Sequence, residues 1–286
     1  MKTILITGAT SGIGLQAALD LARRGHRIIM VGRDPARIDA AVSRVVAASG
    51  SHDVSSLRCD FSSQADIRRL AADVIARHDR LDVLVNNAGQ VNKTRRVTTD
   101  GLEMTFAVNH LGYFLLTNLL LDLVVRSAPA RVISVASIAH RTGTLDFDDL
   151  GFARGGYRIM RAYGRSKLAN VLFAAELARR LAGTGVTSNS LHPGGVNTNI
   201  WSGAPLWAKP FINLLFRPFF LSAEKGGSYL VDLAIRPDLE NVTGLYFEED
   251  KVKTPAPLAQ DRALAQRLWE ESAKLVGLPP SGMIEG

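Results

Sequence analysis

Cysteine occurs once in these 286 residues, at position 59, so no disulfide can form within the chain. That absence fits a reducing compartment, and a cytoplasmic location is expected. A single cysteine in apolar company reads as a packing residue. Long hydrophobic runs are scarce as well. The most apolar stretch, LWAKPFINLLFRPFFL at 206–221, contains Lys209 and Arg217 and is broken by Pro210 and Pro218, which makes it too short and too interrupted to span a bilayer. No leader peptide is expected, because the first residues run straight into a short apolar strand and a glycine loop. Neither a low-complexity tract nor a linker rich in Pro, Gly or Ser divides the chain, and no internal repeat is visible, so one domain covering 1–286 is expected. No metal site is expected.

Charge of one sign is not concentrated anywhere. The formal charge is +7, but basic pairs such as Arg23-Arg24, Arg68-Arg69 and Arg179-Arg180 lie in amphipathic helical patterns interleaved with acids. They read as solvated helix faces, and no nucleic-acid partner is expected. With 47% hydrophobic and 21% charged residues, the chain has the balance of an ordinary globular protein.

What is present is an alternation. Short β-rich runs (KTILIT, HRIIMVG, DVSSLRC, LDVLVNN, ARVISVAS, GVTSNSLHP) are separated by helical patterns over 12–24, 35–49, 63–78, 99–126 and 161–182. Helices near 222–235 and 258–276 follow, with a short strand at 243–247 between them. This order predicts an α/β fold, a doubly wound parallel sheet of Rossmann type with helices on both faces. Runs such as Ile4-Leu5-Ile6 and Val83-Leu84-Val85, apolar at every position, suit strands buried on both sides. Segments 138–160 and 197–221 fall outside the alternation and follow strand carboxyl ends, where open α/β sheets bind ligands.

The first strand is followed by ITGATSGIG, which puts Gly8, Gly12 and Gly14 just before a helix. Glycines allow a sharp turn and close backbone approach, and a helix N-terminus adds partial positive charge, so the loop suits a pyrophosphate. Taken alone it has a second, lesser reading as a packing or turn feature. YGRSK places Tyr163 and Lys167 at i and i+4, on one helix face. A phenol titrating near pH 10 is a poor acid–base group at neutral pH. A unit positive charge about 4 Å away, at an effective dielectric of about 20, is worth on the order of 4 kcal/mol, or about three pKa units. Lowering of the Tyr163 pKa by Lys167 is therefore expected. Ser137, at a strand end, could hold a carbonyl oxygen beside the phenol, or it could cap local backbone, as could Ser134. Asn109 sits in an apolar helix, where its amide must find partners.

Taken in order, Thr7-Gly8-x-x-x-Gly12-Ile13-Gly14, Asp60, Asn86-Asn87-Ala88-Gly89, Asn109, Ser137, Tyr163-x-x-x-Lys167 and Pro193-Gly194 resemble the short-chain dehydrogenase/reductase family over about residues 2–250. VNHLGYFLLT, SIAH, YGRSKLANVLFAAELARRL and HPGGVNT most resemble its retinol dehydrogenase and protochlorophyllide reductase-like branch. The resemblance implies that Tyr163 is the proton donor or acceptor. Lys167 would hold the nicotinamide ribose, Ser137 would orient the carbonyl, and Asn109 would anchor a water that relays protons to Lys167. Cofactor binding would fall to Gly8, Thr10, Ser11, Gly12, Ile13, Gly14, Asp60, Phe61, Asn87, Ala88 and Gly89, with Pro193, Gly194, Val196 and Thr198 around the nicotinamide. It also implies a homodimer or homotetramer, paired through the helices around 99–126 and 161–182.

Cofactor choice turns on the end of the second strand. A carboxylate there would bind ribose hydroxyls and repel a 2′-phosphate. Here Gly32 holds that position and Arg33 follows, so NADP(H) is expected, with NAD(H) as the alternative. Asp34 argues for NAD(H) unless it is committed to capping a helix behind Pro35. The apolar segment 197–221 is expected to be a lid over a lipophilic ketone, aldehyde or alcohol; a satellite core and a membrane-surface contact are its other readings. A non-catalytic NADPH-binding sensor or scaffold is the competing function, although Tyr163, Lys167 and Ser137 are all present. A sugar-nucleotide epimerase or dehydratase is a second, but the glycine spacing differs and no larger C-terminal substrate region is visible.

Overall fold

The computed structural model describes residues 1–195 and 222–280. The expected lid, Val196 and Thr198 lie outside the described residues. Among the described residues eight strands form one sheet: β1 (Thr3–Thr7), β2 (Arg27–Gly32), β3 (Val54–Arg58), β4 (Val83–Asn86), β5 (Ala130–Val135), β6 (Val186–His192), β7 (Tyr246–Glu248) and β8 (Lys251–Val252). Their order is β3-β2-β1-β4-β5-β6-β7-β8. Every neighbouring pair is parallel except β7 with β8, an antiparallel edge too short to show in the sequence pattern.

Alternate side chains of each strand supply opposite cores, which is why these strands are apolar without alternation. Ile4, Ile6, Ile28, Met30, Val83 and Val85 face one core, with α1 (Gly12–Arg23), α2 (Pro35–Ser49) and the later helix Ala223–Ile235. Leu5, Ile29, Val31, Leu84 and Val132 face the other, with α3 (Gln64–Arg77), α4 (Met104–Phe106), α5 (Gly112–Leu119), α6 (Leu121–Arg126), α7 (Ile159–Arg180) and the C-terminal helix Arg262–Leu275. The helices Ala223–Ile235 and Arg262–Leu275 are α8 and α9. α8 reaches α1 closely because a Cβ at Gly227 would stand 2.8 Å from Gln16 Cβ.

Three expected elements differ from those found. The helix expected over 99–126 begins at Met104, because the buried Glu103 carboxylate accepts from the first-turn amides of Thr105 at 2.9 Å and Phe106 at 2.8 Å. It then widens into a π turn over Ala107–Leu111 and breaks again at Leu120. The last helix starts at Arg262, capped by Asp261, after a 3₁₀ turn at Pro257–Gln260. Segment 138–160 opens with a 3₁₀ turn, Ile138–Thr142, and its later part is tied down by Arg165 of α7. There the buried Arg165 guanidinium stacks 3.9 Å from the Phe152 ring centre and donates to the carbonyls of Thr144, Asp149 and Leu150.

α9 seats Trp269 against Phe114 of α5 and Phe173 of α7, and Ser272 Oγ lies 2.9 Å from His110 Nε2 in the π turn. It thus covers apolar surface on the two helices for which the resemblance implies subunit pairing.

Candidate active site

At the carboxyl ends of β1, β2, β4, β5 and β6 lies a cavity of about 1100 Å³. β1 and β4 are neighbours whose connections leave in opposite directions, which is the crevice where doubly wound sheets bind dinucleotides. The turn from β1 to α1 forms its floor. Gly8 has φ +67°, and a Cβ there would stand 2.8 Å from Ala88 Cα. Gly12 has φ +58° and opens the helix. Ser11 precedes α1 without capping it through its side chain, and the first turn carries no acid. Among the described residues the orphan amides of that turn therefore have no side-chain partner at the cavity wall, a donor set that suits an anion.

The β4 turn is fixed by Thr7, whose Oγ1 accepts from the amides of Asn87 at 2.8 Å and Ala88 at 2.9 Å. Asn87 Nδ2 in turn donates to Thr7 O at 2.7 Å. This link holds the two glycine-containing turns together. Asn86 is occupied elsewhere, donating to Thr117 at 2.9 Å.

At the β2 end, a Cβ on Gly32 would meet Thr10 Cγ2 at 2.5 Å and Ile38 Cγ1 at 2.8 Å, so no carboxylate-bearing side chain fits there. Asp34 caps α2, accepting from Arg37 N at 3.0 Å. Arg33, Arg37 and Asp60 line the cavity, with Arg33 Nη1 4.0 Å from Asp60 Oδ2. Arg58 Nε donates to Arg33 O at 3.3 Å.

At the other end, Ser137 and Tyr163 line the cavity together with Lys167. Burial raises the Tyr163 pKa, and hydrogen bonding to Ser137 acts the other way. The Lys167 ammonium donates to Val135 O at 2.8 Å and stands 5.6 Å from the Tyr163 ring centre and 5.9 Å from that of Tyr113. Burial lowers its pKa to about 7. The expected lowering of the phenol pKa by Lys167 is thus corrected: the ammonium is drawn to the β5 carbonyl, and desolvation moves both groups toward their neutral forms.

Asn109 lies in the π turn and is fully buried. Its amide donates to Gln90 O at 3.0 Å and Ser166 Oγ at 3.1 Å and accepts from Gln90 N at 2.8 Å. With both amide protons engaged, a water anchored at Asn109 would use oxygen acceptors, on the side chain or the main chain.

Of the residues expected from the sequence, Gly8, Thr10, Ser11, Gly12, Ile13, Arg33, Asp60, Phe61, Asn87, Ala88, Gly89, Ser137, Tyr163, Lys167, Pro193 and Gly194 line this one cavity. Asn109 stands behind it. Gly14 faces inward, where a Cβ would meet Asn87 Nδ2 at 2.6 Å and Gly8 O at 2.7 Å, so it serves helix packing. Ile138, Met160, Arg141 and His192 also line the cavity and were not singled out from the sequence. Ile138 and Met160 are 43% and 47% exposed, apolar side chains at the mouth that only the fold brings together. Cys59 also lines it, its thiol pushed up to about 12 by burial.

The sheet order and the glycine turns define a dinucleotide-binding fold, and the chain belongs to the short chain dehydrogenase family, whose model matches residues 2–208. It is an oxidoreductase of the retinol dehydrogenase-like branch. Human retinol dehydrogenase 13 is 45% identical over 281 residues, covering 97% of this chain and 85% of that protein. Human retinol dehydrogenase 14 is 42% identical, covering 97% of this chain and 86% of its own length. Among solved structures, an uncharacterised protein from Mycobacterium paratuberculosis superposes with TM-score 0.79 at 31% identity, covering 97% of this chain and 94% of that one. The RhlG/NADP active-site complex of Pseudomonas aeruginosa superposes with TM-score 0.70 at 27% identity, covering 87% of this chain and 94% of the other.

Proposed function

We propose that this chain is an NADP(H)-dependent oxidoreductase acting on a lipophilic ketone, aldehyde or the corresponding alcohol. The observation that carries the reading is one cavity with a phosphate-suited turn and Arg33 at one end and Ser137, Tyr163 and Lys167 at the other. Gly8, Gly12, Asn87 and the α1 amides would hold the dinucleotide, which when bound supplies or accepts the hydride. The name of the NADP complex above supports the phosphorylated cofactor, as do Arg33, Arg37 and the commitment of Asp34 to its helix.

Ser137 would hold the carbonyl oxygen by a hydrogen bond, and Tyr163 would pass its hydroxyl proton to that oxygen as it becomes an alkoxide. A lysine held near pKa 7 exchanges its proton readily at neutral pH, so Lys167 can replenish the phenol. Ile138 and Met160 at the mouth support an apolar guest. Consumption of NADPH with a panel spanning retinal, steroids, long-chain aldehydes and aromatic ketones tests the reading. Turnover is expected with at least one member. Tyr163→Phe should abolish turnover while NADPH binding, read by nucleotide fluorescence, is retained. NADPH binding without turnover on any member would favour the sensor reading.

A further inference from the structure

The turn after β5 holds a histidine that this chemistry leaves unused. His140 is fully buried, and its two ring nitrogens meet opposite kinds of group. Nδ1 lies 2.8 Å from the main-chain oxygen of Ser137, and Nε2 lies 3.1 Å from the main-chain nitrogen of Ala256. A carbonyl only accepts and a peptide N–H only donates, so the ring is neutral and its one proton sits on Nδ1. The ring packs against Tyr246, 4.8 Å between centres. The next residue, Arg141, reaches Thr254 O at 3.4 Å and Glu248 at 3.9 Å. A segment more than a hundred positions later in the chain thus grips the Ser137 turn.

We propose that His140 is a positioning residue for Ser137, setting the peptide from which the serine hydroxyl is presented to Tyr163 and the substrate oxygen. Ser137 is the last extended residue before the 3₁₀ turn, and within that turn its Oγ is restrained by a long bond from Ala139 N at 3.3 Å. The Ser137 carbonyl accepts both the His140 main-chain N–H at 3.0 Å and the imidazole N–H at 2.8 Å, and the ring supplies the second of these bonds, which fixes the orientation of the peptide that leads out of Ser137. The tie to Ala256 fixes the imidazole in turn. A positively charged ring would turn a second N–H toward Ala256 and break the tie. Burial, which keeps the His140 pKa below the usual histidine range, guards against that.

The proposal rests on the role given to Ser137 above, and its test separates the two links. His140→Asn keeps a donor near Nδ1 but does not reach Ala256. His140→Gln keeps an acceptor near Nε2 but gives up the Ser137 bond, and His140→Phe loses both at similar volume. Turnover is expected to fall about tenfold or more in the Gln and Phe variants and to stay within about threefold of wild type in the Asn variant, the size of one hydrogen bond. NADPH affinity should change less than about twofold in all three. In a Ser137→Ala background the same substitutions should change the residual rate less than about twofold. Equal losses in the Asn and Gln variants, undiminished losses in the Ser137→Ala background, or full turnover by Ser137→Ala itself would each overturn the proposal. Heteronuclear NMR of histidine-labelled protein reads the ring without any substrate, so absence of turnover on the whole panel, which defeats the proposed function, does not silence it. A resonance pair protonated at Nδ1 only and missing from His140→Phe is expected; protonation at Nε2 overturns the assignment.

Discussion

Lys167 shows how one residue given a role in the proposed chemistry can cost stability. Its pKa falls from 10.5 in water to about 7 in the folded chain. Between those values the unfolded chain holds a proton that the folded one lacks, so raising pH through that window favours folding. Below about pH 7 the folded state bears the full cost of either burying the charge or releasing the proton. Lys167→Met should therefore unfold at a higher temperature than wild type at pH 7, and the gap should narrow toward pH 10, as read by thermal melts of each protein. Val135 O keeps a donor in that variant, because Asn170 Nδ2 also reaches it at 3.1 Å. Arg33 raises a question of specificity at the same scale. On the proposed reading Arg33 grips a 2′-phosphate, so Arg33→Ala should weaken NADPH by about 10- to 100-fold while NADH changes less than about threefold. Titration of both nucleotides checks this, and equal weakening would remove the argument for NADP(H).

Among the elements, the broken helix from Met104 to Arg126 has the most to explain. Its apolar residues read as one continuous helix, yet its start is decided by Glu103 and its middle by a π turn that turns Asn109 toward Gln90 and Ser166. A π turn is rare and often local to a functional site, and no periodicity in the sequence announces it. Glu103→Ala removes both first-turn acceptors and should cost about 1–2 kcal/mol in urea unfolding. Because the π turn follows directly, turnover should fall as well while NADPH affinity is kept. The β2–α2 corner was easier to read. Asp34 before Pro35 has the chemistry of a helix start, and it caps α2 as that chemistry requires.

For the whole molecule, α9 closes the second core. Trp269 is buried against Phe114 and Phe173, and the Arg180 guanidinium lies 4.3 Å from its ring centre. Trp269→Ala should destabilise the protein by about 3–5 kcal/mol in equilibrium denaturation. α9 packs on the two helices through which the resemblance implies that chains pair. Among the described residues no helix is long and apolar enough to cross a membrane, and no group of three or more His, Cys, Asp and Glu could hold a metal.

The amino-acid sequence by itself determined the layer order, the two-sided strands, the glycine turn and the Tyr163–Lys167 spacing, because each depends on local periodicity or on residues close together in the chain. It also determined the branch of the family, since those motifs occur together and in order. Tertiary structure alone decided where the Lys167 ammonium rests, why Gly32 admits no acid, that Gly14 packs inward, and that His140 joins Ser137 to Ala256. Each of these depends on contacts between residues far apart in sequence, and on burial, which shifts the charge of a group only once the fold has taken it out of water.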